Sequence, residues 1–131
     1  MSPVARNVIG WAAAGAVSLQ MLVSVYFKVH VVEIDLDFKA MFVRGGIYEL
    51  RYYLAVADLI ITALFLLPRT MTLGFVLMVG YWGGATATVI THGDYAELPL
   101  HLTNLALLLA ASWFRHPEIW ARFLLKPVAD T

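Results

Sequence analysis

"YELRYYLAVADLIITALFLLP", residues 48–68, reads as a membrane span, yet it carries Glu49, Arg51 and, near its middle, Asp58. A charge at that depth costs about 3 kcal/mol on insertion scales unless it is paired or reached by water, so an ionisable residue there marks a functional site or a buried pair. The rest of the chain agrees with the membrane reading. Of its 131 residues 61% are apolar and 14% charged, with a mean hydropathy of +0.77. A soluble domain of this size carries more charge. The net charge is zero, so no basic footprint argues for nucleic acid. There is no cysteine. Disulfides, thiol redox chemistry, thiolate-held iron–sulfur clusters and covalently attached c-type haem are therefore excluded, and any redox role needs a bound cofactor, histidine ligation or a partner.

Working outward, the apolar segments fall at about 8–29, 47–68, 71–91 and 98–114. The first three have the length of about 20 residues that a helix needs to cross about 30 Å of hydrocarbon, and the fourth is at the short end. Backbone groups inside a bilayer must be satisfied within the segment, so these are expected to be helices. The first follows Arg6 and is too long for a leader's apolar region, which predicts an uncleaved span. "PRT" (68–70) is a tight turn. "HGDYAELP" (92–99) is a polar hairpin in which Gly93 stops one helix and Pro99 opens the next. In the longer connection "HVVEIDLDFKAMFVRGG" (30–46), Glu33, Asp35 and Asp37 alternate with apolar residues. That period of two predicts an extended stretch with its carboxylates on one face. After the fourth segment "RHPEIWARFLLKP" alternates basic and aromatic residues and predicts a short interfacial helix, with Trp120 and Phe123 among the headgroups.

The expected fold is all-α: one four-helix transmembrane bundle over residues 1–131. An even number of spans leaves both termini on one side. That side holds Arg6, Arg69, Arg115, Arg122 and Lys126. The other holds Lys28, Lys39, Arg44 and Arg51 together with Glu33, Asp35, Asp37, Glu49, Asp94 and Glu97. The positive-inside bias therefore puts both termini in the cytoplasm, and the inner membrane of a bacterium is the expected location.

Helical spacing sorts the polar residues into stripes. Arg51, Asp58 and Thr62 share one face of the second segment. Two turns separate Arg51 from Asp58, a rise of about 10.5 Å, so either the arginine reaches inward or another helix supplies the partner. Gln20, Ser24 and Lys28 form a stripe on the first segment, Gly84, Thr88 and His92 on the third, and His101 and Asn104 on the fourth. Facing inward, they would line a polar pocket in the outer half of the bundle. Within it Asp58, Glu49 and His92 are the candidates for acid–base work. Gln20, Lys28, Arg51, Tyr52, Thr88, His101 and Asn104 are the candidate ligand contacts. "GYWGGATA" (80–87) sets Gly80 and Gly84 at the spacing that lets helices approach closely, within the bundle or between protomers. The outer-side histidines have no tight metal-binding spacing, and no metal is assigned.

A Glu at the start of the second span, "LLPRTMTLGF" (66–75) between the second and third, the small-residue third helix, then "THGD" (91–94) and an apolar fourth helix together resemble the DoxX-like family of small membrane proteins. The likeness covers residues 46–114 best, and Glu49, Pro68, Arg69, Gly84 and His92 are the positions that map. The resemblance implies a four-span fold. It also implies a link to quinone-dependent sulfur oxidation, redox homeostasis or membrane-protein assembly. The expected function is a quinone- or lipid-binding subunit associated with an oxidoreductase, as a homo-oligomer or part of a membrane complex. The alternatives are an enzyme doing acid–base isomerisation, cyclisation or hydration on a lipophilic molecule, and a non-catalytic assembly subunit.

Overall fold

A computed structural model of the chain describes residues 1–124. Lys126, counted above with the cytoplasmic charges, lies outside the described residues. Among those residues the chain is all-helical. Helix α1 runs Pro3–Ile34, α2 Leu36–Arg44, α3 Arg51–Leu66, α4 Met71–His92, α5 Leu98–Arg115 and α6 Pro117–Phe123. The four long helices pack in the cyclic order α1, α3, α4, α5. Two of them, α1 and α4, are long and apolar enough to cross a membrane.

Local chemistry explains the ends. Ser2 accepts the Ala5 N–H and Pro3 opens α1, a standard N-cap with proline in the first turn. Thr70 closes the turn between α3 and α4 by donating its hydroxyl to the Leu64 carbonyl at 2.8 Å. Gly93, at φ 75°, ends α4 in the left-handed conformation that glycine adopts without strain. The second segment starts later than its apolar run predicts: residues 47–50 form a turn, and α3 begins at Arg51.

The connection predicted as an extended stretch is helical instead. Val32–Ile34 continues α1, and the chain breaks only at Asp35, whose carboxylate caps α2 by accepting the N–H groups of Asp37 and Phe38. The period of two was carried by the acids alone. The apolar residues Phe38, Met41 and Phe42 stand at i, i+3 and i+4, and burying them requires a helix. Phe27–Val31 is a turn of π-helix inside α1, holding Lys28.

The core is Ala14, Val17 and Met21 from α1 against Phe65, Met71, Phe75, Met78 and Leu108. Helix α4 meets α3 most closely at Gly74, where a Cβ would lie 2.2 Å from the Phe65 backbone nitrogen. Near the start of α1, Gly10 makes room for Arg115, whose guanidinium lies 3.9 Å from the centre of the Trp11 ring. Helix α6 folds back beneath α5, with Ile119 buried and the Trp120 indole donating to Ser112 at 3.1 Å.

Candidate functional site

Asp58 has its partner, and the partner is Lys28. The Lys28 ammonium donates to the Asp58 carboxylate Oδ2 at 2.6 Å across the α1–α3 contact. It also donates to the hydroxyls of Ser24 and Tyr81. All three N–H groups are thereby used. Lys28 is 4% exposed and Asp58 0%, so the charges compensate each other inside the protein. Thr62, one turn below on the same stripe, donates to the Asp58 main-chain carbonyl at 2.6 Å. The second carboxylate oxygen, Oδ1, is buried without a partner.

This cluster forms part of the wall of a chamber of about 660 Å³, within the usual size of a small-molecule site, about 300–1,000 Å³. Helices α1, α4 and α5 form its sides, and α2 contributes Phe38, Met41 and Phe42. The lining is mainly apolar. Its polar groups are few: Gln20, Ser24 and Lys28 along α1 with Tyr81 opposite, Thr88 and His101 on α4 and α5, Asp35 at the α1–α2 break, and Asp94 and Glu97 in the 92–99 hairpin. Trp82 packs against both Tyr81 and His101, with ring centres 5.6 and 5.5 Å away.

Among the sequence candidates, Gln20, Lys28, Thr88 and His101 line this chamber. Asp58 stands behind the wall, bonded to Lys28. Glu49 does not reach it, because the helix starts at Arg51 and leaves Glu49 exposed in the preceding turn. His92 does not reach it either: its Nδ1 meets the Thr88 carbonyl one turn back, at 2.9 Å, on the exposed side of α4. Asn104 is buried and turned along its own helix, donating to the Leu100 carbonyl at 3.0 Å.

Arg51 and Tyr52 belong to a separate cluster at the rim. The Arg51 guanidinium lies between the rings of Tyr48 and Tyr52, 4.1 and 4.4 Å from their centres, and pairs with Glu33 at 3.1 Å. Tyr48 donates its hydroxyl to Glu33 as well, at 2.8 Å. Among the described residues no helix packs on Gly80 or Gly84. A Cβ at either would meet nothing within 4 Å, and both line the chamber. Within the bundle the close-packing glycine is Gly74. Among the described residues no group of histidines and carboxylates is placed to hold a metal ion.

Sequence reading missed Tyr81. It stands seven residues before Thr88, so the stripe of Gly84, Thr88 and His92 extended one step back would have reached it.

Compared with known proteins, the chain matches no family model and shows significant similarity to no curated protein and to no solved structure. The site therefore rests on its own chemistry.

Proposed function

We propose that this chain is an integral membrane protein of four spans that houses a lipophilic molecule in the chamber, with the molecule's polar end against the Lys28–Tyr81 wall. The observation that carries the reading is the chamber itself: a large, mainly apolar space with one polar cluster, Lys28 with Ser24 and Tyr81, whose ammonium is already neutralised by a carboxylate. Such a site suits a long apolar body with a small hydrogen-bonding head, as in a quinone or a lipid.

The outer surface supports the membrane setting. Leu19, Leu59, Ile60, Leu73, Val76 and Leu102 are all about half exposed or more. An apolar surface on every long helix is what lipid, rather than water, accepts. Arg6, Arg69, Arg115 and Arg122 lie at the end opposite the 92–99 hairpin with its Asp94 and Glu97, which supports cytoplasmic termini under the positive-inside rule. Helix α3, with 16 residues, rises only about 24 Å. Its charged outer end therefore sits deeper than those of α1 and α4, and the aromatic and acidic partners of Arg51 answer that depth.

In this reading the protein is a DoxX-like, quinone- or lipid-binding subunit that works beside an oxidoreductase, in the inner membrane of a bacterium and as an oligomer. A second reading, acid–base catalysis on the same kind of molecule, is favoured by one contact. Tyr81 lines the chamber while its hydroxyl meets the Lys28 ammonium, an arrangement suited to a phenol that donates to a ligand carbonyl. Tyr81 then takes the acid role, with Asp58 holding Lys28.

Native mass spectrometry from a mild detergent tests the proposal. A stoichiometric quinone, lipid or terpenoid supports the chamber reading. An empty protein carrying a second polypeptide speaks against it and for an assembly role.

A further inference from the structure

Helix α2 stands apart from the bundle. Among the described residues its backbone packs closely on the Val32–Ile34 end of α1, while its hold on the other helices is made by side chains. Phe38 meets Phe27 edge-on, with ring centres 5.5 Å apart, and Phe42 is buried behind it. Both belong to the chamber wall, with Met41. The opposite face is apolar as well: Leu36 is 79% and Val43 57% exposed. A helix with apolar residues on both faces is suited to lie between a chamber and a lipid surface.

Its two ends are built to turn. Asp35 has extended backbone at φ −107° and ψ 106°, and separates α2 from α1. After α2, Gly45 is followed by Gly46 at φ 70°, with open space around it. The far end is fastened by one ion pair, Arg44 to Asp94 at 2.5 Å, which ties α2 to the 92–99 hairpin across the chamber. Asp94 itself lines the chamber.

We propose that α2 is the gate of the chamber. It swings between Asp35 and Gly45–Gly46 and is held over the chamber, which stays partly open beside it, by the Arg44–Asp94 pair. Lipophilic molecules pass beneath it from the outer leaflet of the bilayer. This inference rests on the chamber being a lipophile site. Opening moves Phe38, Met41 and Phe42 out of the wall and leaves the Lys28–Asp58–Tyr81 cluster in place, because no residue of α2 bonds to that cluster.

The chain has no cysteine of its own, so a pair of engineered thiols can be bridged selectively. Arg44→Cys/Asp94→Cys puts them at the latch, where a bis-maleimide replaces the ion pair with a covalent tie, and the same variant capped on each thiol with N-ethylmaleimide is the open control. Both forms are placed in lipid nanodiscs, and exchange of a dibrominated stearic acid, a redox-inert quencher, is followed by stopped-flow tryptophan fluorescence. The bridged form should bind and release it about tenfold or more slowly than the capped form, as expected where a lid limits exchange. Arg44→Ala, which needs no bridge, should speed release by about two- to fivefold, the range open to an exposed ion pair. Equal rates in the bridged and capped protein, or unchanged release from Arg44→Ala, would overturn the gate while leaving the chamber. A brominated fatty acid that fails to bind even the native protein would count against the chamber and the gate together.

Discussion

Replacing Lys28 by methionine should strand a carboxylate where solvent does not reach. Asp58 is fully buried, its Oδ1 has no hydrogen-bond partner among the described residues, and the Lys28 ammonium donates to Oδ2 at 2.6 Å. Removing one member of a buried pair costs about 3–5 kcal/mol, while replacing both members with apolar residues is about neutral or stabilising. Lys28→Met and Asp58→Leu should therefore each lower the unfolding free energy by about 3–5 kcal/mol, and the double variant should recover most of that loss. The assay is a double-mutant cycle by thermal or SDS unfolding in one detergent. Single losses below about 1 kcal/mol, the range of an exposed pair, or losses that simply add in the double variant, would refute the reasoning.

Other consequences follow from geometry already described. Gly84→Leu projects a side chain into open chamber space. It should leave the melting temperature close to that of the native protein and abolish retention of a bound lipophile, read by mass spectrometry. Gly74→Ala is the opposite case. Its Cβ would fall 2.2 Å from backbone, and overpacking of this kind costs about 1–3 kcal/mol or more, seen as a lower unfolding midpoint. At the α5–α6 corner, partial burial raises the pKa of Glu118, but a backbone N–H and His116 at 2.7 Å outweigh it, so the net value lies below the ordinary one. A carboxylate lowered on folding contributes stability above its unfolded pKa and loses it as pH falls through its folded pKa. His116→Gln should move the Glu118 titration, followed by carboxyl NMR, back upward and reduce the acid sensitivity of α6.

Much of the fold was legible because helix boundaries are local chemistry. The "PRT" turn, Gly93 and Pro99 each act through their own backbone, and the helices between them follow from apolar length. The need of Asp58 for a partner was equally plain from the cost of a buried charge. The identity of that partner was not, since Lys28 lies 30 residues away in sequence and only packing of α1 against α3 brings them together. Arg51 shares a face with Asp58 but sits two turns above it, where Glu33 and two tyrosines were nearer. The π-turn that carries Lys28 has no sequence mark. Residues 30–46 misled because their acids alternate while their apolar residues do not, and burial follows the apolar residues. Gly80 and Gly84 have the spacing of a packing motif, but spacing does not say whether a helix or a chamber lies opposite.

The most direct test of the central claim is photolabelling in native membranes with a lipophilic diazirine, with the labelled residues mapped by peptide mass spectrometry. The account predicts labelling of Tyr81, Trp82 and Phe42 on the chamber wall, lost in Gly84→Leu while labelling of the outer apolar surface persists. Labelling confined to that outer surface, or chamber labelling unchanged by Gly84→Leu, would contradict it.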